Sequence, residues 1–185
     1  MPVQTKNDSP KSEVAKGDRR AAPPTKDRQA LIDGLNHDLA GEYQAILMYT
    51  QYSAKLTGPC RRELRALFQA EIVDEQGHAQ FLADKVAALG GEPATEPRAV
   101  PRADQPRSML AKLLAGEIQA IADYGARIRQ AEAFGDIGLK VGLENQVADE
   151  TRHKEEIELI LADWNEPNLE GARNEGRWQD DGGQG

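Results

Sequence analysis

The sequence predicts an all-α fold: a four-helix bundle with one long crossover between its second and third helices. Three observations carry this. Apolar residues recur at three- and four-residue intervals through four stretches, the period of an amphipathic helix. No stretch alternates apolar and polar residues as a half-buried strand would. Breaks rich in Gly and Pro separate the stretches in the order short, long, short, the connectivity of a bundle with one crossover.

The first helix spans residues 28–56, with Leu31, Ile32, Leu35, Leu39, Ile46, Met48, Tyr49 and Tyr52 along one face, and Thr57-Gly58-Pro59 ends it. The second spans 60–89, with Leu64, Leu67, Phe68, Ile72, Phe81, Leu82 and Val86, and stops at Gly90-Gly91. Residues 92–106 hold four prolines and form the crossover. A third helix runs over 107–133, Phe134-Gly135-Asp136 punctuates, and a fourth continues to about Trp164. The bundle domain is therefore 28–164. Residues 1–27 contain four prolines and few large apolar side chains and read as a disordered basic arm. Residues 165–185, polar and Gly-rich with Trp178 as their one aromatic, read as a disordered acidic tail.

Charge and composition exclude several classes. Lys and Arg number 23 against 31 Asp and Glu, a net charge of −8, which argues against a surface coated by nucleic acid. The arm to Arg28 carries seven basic against four acidic residues, but it is expected only to solubilise the chain, not to contact DNA. No apolar run reaches the roughly 18–20 residues that span a bilayer, so no membrane contact is expected. The first residues lack the apolar core of a secretory signal, and the single Cys60 cannot form an internal disulfide or a CxxC pair. A cytoplasmic setting is expected, with Cys60 an inert thiol.

The chemistry lies in an internal repeat. Leu39-Ala40-Gly41-Glu42-x-Gln44-Ala45-Ile46-x-x-Tyr49 recurs 75 residues later as Leu114-Ala115-Gly116-Glu117-x-Gln119-Ala120-Ile121-x-x-Tyr124. The same offset carries Asp74-Glu75-x-x-His78 onto Asp149-Glu150-x-x-His153. Each helix pair thus holds one single Glu and one Glu-x-x-His, and two such hairpins facing each other bring matching side chains to the centre. Glu and His three apart share a helix face. Four carboxylates in a bundle core need neutralising, and two divalent cations supply the opposite charge. Carboxylate with imidazole suits iron or manganese better than calcium. The candidate metal and catalytic residues are Glu42, Glu75, His78, Glu117, Glu150 and His153. Asp74 and Asp149, duplicated with the motif, are expected to accept a histidine N–H. Tyr49 and Tyr124, two turns from each single Glu, are expected to fill the core on the metal-facing side, with a hydrogen bond to a ligand or a redox role. Gly41 and Gly116 are expected to permit close helix approach, and His37 to be a surface residue.

On these residues the chain resembles the ferritin-like superfamily, and bacterioferritin in particular, over about three quarters of its length. The resemblance implies that Glu75 and Glu150 bridge two iron ions per chain, that Glu42 and His78 complete one site, and that Glu117 and His153 complete the other. It implies a ferroxidase that oxidises Fe(II) to Fe(III) with oxygen or peroxide for iron storage or detoxification. It also implies a homo-oligomer, at least a dimer and at the largest a hollow shell. Gln76 stands where bacterioferritin carries its haem-binding Met, so haem is not expected. No short apolar segment follows Asn165, as a fifth shell-lining helix would require. Two alternatives share the bundle. One is a rubrerythrin-like di-iron peroxidase, whose usual second iron site needs four cysteines. The other is a DNA-protection shell of the Dps type, whose metal site lies between subunits.

Overall fold

In the computed structural model, residues 25–162 and Trp164 are described; the remainder of the basic arm and the acidic tail lie outside the described residues. Four helices follow in order: α1 (Thr25–Lys55), α2 (Arg61–Ala88), α3 (Pro106–Phe134) and α4 (Ile137–Ala162). The first begins three residues inside the segment assigned to the arm, directly after Pro24, and Asp27 in its first turn complements the positive end of the helix dipole.

The ends follow from local chemistry. Gly90 and Gly135 take left-handed φ of 81° and 84° just beyond α2 and α3, where a side chain would strain the backbone. Their amides, and those of Gly91 and Asp136, return to the last carbonyls of each helix. Pro106 opens α3, whose first turn cannot use its N–H in any case. Asp136 opens α4, its carboxylate accepting the Leu139 N–H at 2.9 Å.

The hairpins α1–α2 and α3–α4 pack along their lengths and join through α1 and α3, while α2 and α4 stand further apart. Two apolar layers fill the bundle. One gathers Leu31, Leu35, Leu39, Leu82, Val86, Leu139 and Leu143. The other gathers Met48, Tyr52, Leu56, Leu64, Phe68, Met109, Leu110, Leu113 and Ile157. Along α1 the layers end at Leu39 and resume at Met48, and the polar centre lies between them. Ile46, Leu67, Ile72 and Phe81 pack at the edges of these layers, only partly buried.

The crossover is strapped along α1. Asn36 bonds Glu92 O and Ala94 N, Arg98 N–H donates to Ala40 O, Gln44 donates to Ala99 O, Tyr52 to Pro101 O and Lys55 to Ala103 O. These bonds satisfy a proline-rich segment that could not satisfy itself.

Candidate metal centre

The i, i+3 spacing puts Glu75 and His78 on one face of α2, and Glu150 and His153 on the matching face of α4. Glu42 comes from α1 and Glu117 from α3. All six are buried, none more than 7% exposed. They form two overlapping groups whose ligand atoms lie within 4.8 Å of one another: Glu42, Glu75, His78 and Glu150 in one, and Glu75, Glu117, Glu150 and His153 in the other. Glu75 and Glu150 belong to both. His78 Nδ1 lies 2.9 Å from Glu150, 3.6 Å from Glu42 and 3.7 Å from Glu75, and His153 Nδ1 lies 3.4 Å from Glu150. Both rings thus turn Nδ1 inward.

The donor set fits divalent metal. Apart from these ring–carboxylate approaches, Glu42 Oε2, Glu75 Oε1, both Glu150 oxygens and the Nδ1 atoms of His78 and His153 are buried and make no hydrogen bond. Leaving so many strong polar groups unmatched is costly unless something else ligates them. With Glu117 they make an inward cluster of four carboxylates and two imidazoles, the donor chemistry that iron and manganese take.

Charge in this centre is shared among its own groups. Burial pushes Glu75 and Glu117 well above the usual carboxylate range, and the Glu150 charge adds to both shifts. Burial acts on Glu150 too, but the flanking His153 and His78 outweigh it and hold Glu150 below that range. Burial also favours neutral rings. Against it, Glu150 and Glu71 hold His153 up to about 10, and Glu150, Glu42 and Glu75 raise His78 as well. Raised in this way, both rings favour the protonated form, whose charge offsets part of that of the carboxylates.

Around this centre the tyrosines are reciprocal. Tyr49 Oη donates to Glu117 and Tyr124 Oη to Glu42, each at 2.5 Å. Asp74 and Asp149 cross the bundle toward the opposite histidine: Asp74 lies 3.5 Å from His153 Nε2 and Asp149 3.7 Å from His78 Nε2. Both stop short of hydrogen-bond length.

The nearest group to His153 Nε2 is instead Glu71, at 2.7 Å and itself buried. Sequence reasoning missed it. Its signal was its position, one turn before Glu75 on the same face. At the 75-residue offset its counterpart is Gln146, which donates to His78 O at 3.4 Å. A buried ion pair was missed as well: Asp38 with Arg127, at 2.8 Å.

His37 is exposed and Cys60 is exposed and free. Gly41 and Gly116 do not permit the close helix approach that their place in the repeat suggests. A Cβ on Gly41 would meet the Arg98 guanidinium of the crossover at 3.1 Å, and a Cβ on Gly116 would meet nothing within 4 Å. Neither glycine admits a neighbouring helix.

A family model for the ferritin-like domain matches residues 32–166, so the chain belongs to the ferritin-like family. Among solved structures it is similar to a ferritin-like di-iron-carboxylate protein from Bacillus anthracis, at 44% identity and TM-score 0.73, covering 75% of this chain and 99% of that one. It is similar to the bacterioferritin of Desulfovibrio desulfuricans, at 25% identity and TM-score 0.69, covering 74% of this chain and 81% of that one. A Dps protein from Thermosynechococcus elongatus shares the fold at 20% identity and TM-score 0.72, over 76% of this chain and 96% of that one. No curated protein matches. Among the described residues no helix is long and apolar enough to cross a membrane.

Proposed function

We propose that the protein is a ferroxidase that takes Fe(II) as substrate at a dinuclear carboxylate site and oxidises it to Fe(III) for iron storage or detoxification. The observation that carries this reading is the set of buried, unmatched ligand atoms on Glu42, Glu75, His78, Glu150 and His153, gathered in two groups that share Glu75 and Glu150. Glu42 and His78 would hold one ion and Glu117 and His153 the other, with Glu75 and Glu150 between them. Manganese suits the same donors.

Each Fe(II) gives up one electron. The pair reduces dioxygen with two protons to hydrogen peroxide, or reduces peroxide with two protons to water. The chain's contribution would be to hold two ions close enough for a two-electron step. Tyr49 and Tyr124 fix the orientation of Glu117 and Glu42 by their hydrogen bonds. Assembly as a homo-oligomer in a cytoplasmic setting belongs to the same reading, with native mass as its check. Large apolar side chains left exposed on the single chain, Val73 at 65% and Leu159 at 72%, support it.

Anaerobic calorimetric titration with Co(II) tests the site, and the expected stoichiometry is two per chain. Zero in the wild type, or two retained in the Glu75→Ala, Glu150→Ala double variant, overturns the reading. Stopped-flow oxidation of Fe(II) tests the activity: a wild-type rate equal to that of buffer removes the ferroxidase.

A further inference from the structure

The repeat contains more than its ligands. Gly41, Gln44 and Ala45 recur as Gly116, Gln119 and Ala120, and none of these reaches the metal centre as a donor. All six line one cavity of about 30 Å³ between α1 and α3. Its floor is formed by Glu42, Glu75, Glu117 and Glu150, three of which carry buried oxygens that make no hydrogen bond. Its rim reaches partly exposed Gln44 and exposed Gln119, so the cavity links the carboxylates to the surface. Such a volume suits about two water-sized atoms. The glycines and alanines matter because larger side chains at these rim positions would narrow it.

The crossover breaks the symmetry of the rim. Arg98 lies over Gly41, its guanidinium donating to His37 O at 2.8 Å and to Asp123 at 2.7 Å. The other aspartate of the lining, Asp38, is paired with Arg127 through Oδ2. Each aspartate thus already faces a guanidinium, and a dication passing inward, even one paused at the His37, Asp38 and Asp123 group, would have to pass Arg98. An uncharged molecule meets no such barrier. Across the bundle, by contrast, Glu71, Asp74 and Asp149 outnumber Arg152.

We infer that the α1–α3 cleft is the passage by which a small uncharged oxidant, dioxygen or hydrogen peroxide, reaches the paired ions, with Arg98 as its lid. The inference rests on the ferroxidase reading in needing metal at the carboxylates. Wild-type protein that binds no metal defeats that reading. Wild-type protein that binds metal, with variants that do not alter access, defeats only the passage.

Wild-type, Gly116→Leu and Arg98→Ala proteins are loaded anaerobically with Fe(II) and mixed with nitric oxide, an uncharged two-atom probe, and separately with hydrogen peroxide. If Leu at 116 leaves the cleft open a tenth of the time, both reactions slow about tenfold. The rate and stoichiometry of anaerobic Co(II) uptake stay those of the wild type. Arg98→Ala speeds nitric oxide association. Equal slowing of Co(II) uptake and nitric oxide binding in Gly116→Leu would make the cleft a cation route and overturn the inference, as would nitric oxide rates unchanged in both variants. Circular dichroism checks folding. Should Gly116→Leu fail to fold, nitric oxide association in Arg98→Ala that is no faster than in the wild type overturns the inference alone.

Discussion

Tyr49 on α1 donates a 2.5 Å hydrogen bond to Glu117 on α3, and the pair is repeated with its partners exchanged as Tyr124 to Glu42. The exchange requires α1 and α3 to run antiparallel about a pseudo-twofold axis. The Asp74–His153 and Asp149–His78 approaches impose the same relation on α2 and α4. Burial, with Glu117 next, holds the Tyr49 phenol well above its ordinary pKa, and burial with Glu42 does the same for Tyr124. Both therefore remain O–H donors.

Tyr49→Phe strands a Glu117 oxygen in the core. Removing the donor from a buried acceptor costs about 1–3 kcal/mol, and Tyr124→Phe should cost a similar amount because its surroundings are related by the repeat. Urea denaturation of the metal-free protein measures both. Midpoints equal to the wild type would show the bonds contribute nothing to stability.

Metal binding should release protons. His153, held up to about 10, and His78, also raised, carry protons at neutral pH that ligation must displace. Affinity for Co(II) therefore rises with pH, and calorimetry in buffers of different ionisation enthalpy reads the protons directly. A raised histidine pKa means the folded metal-free protein binds protons more tightly than the unfolded chain. Its stabilisation is complete below about 6.5, the ordinary histidine value, and is lost as pH rises through about 10. The metal-loaded protein should lack that decline.

Asp38 and Arg127 form a pair buried beside α1, the Asp38 side chain 1% exposed. Burial raises Asp38 to about 6 although Arg127 opposes the shift. Arg127→Ala leaves an unmatched carboxylate, which costs about 3–5 kcal/mol. The loss should shrink toward pH 5, where Asp38 takes up its proton. A loss independent of pH would mean that Arg127 acts through packing rather than charge.

How far the sequence reaches is clearest along α1. Leu31, Leu35, Leu39, Met48, Tyr49 and Tyr52 are buried as their spacing predicts, and the helix ends at Lys55, before Thr57-Gly58-Pro59. The repeat exposed the duplicated Glu and Glu-x-x-His because two copies in register are improbable on helix surfaces. Asp38, Glu71 and Arg127 were illegible for the opposite reason. A charged residue on an amphipathic helix reads as solvated, and each is buried only because a partner on another helix matches it. Gly41 was misread because its neighbour comes from the crossover, whose path depends on contacts with Asn36, Gln44 and Tyr52 that no periodicity reports.

Glu71 and Gln146 occupy equivalent places in the two halves, yet only Glu71 is charged and only it contacts a ring nitrogen, His153 Nε2 at 2.7 Å. With Nδ1 turned toward the clustered carboxylates, a carboxylate at Nε2 would fix the tautomer and strengthen the donor toward a bound ion, whereas Gln146 touches only the His78 carbonyl. The two half-sites should therefore bind with unequal affinity, the Glu117–His153 half being the tighter. Loss of such a supporting group typically costs about 10–100-fold in metal affinity, so Glu71→Gln should weaken one of two Co(II) binding steps by that factor and leave the other in place. The two steps should then converge in affinity. Glu71→Gln also removes a charge that raises His153, so fewer protons should be released when that half fills. A variant in which both steps weaken together, with unchanged proton release, would show that Glu71 steadies the centre as a whole rather than His153.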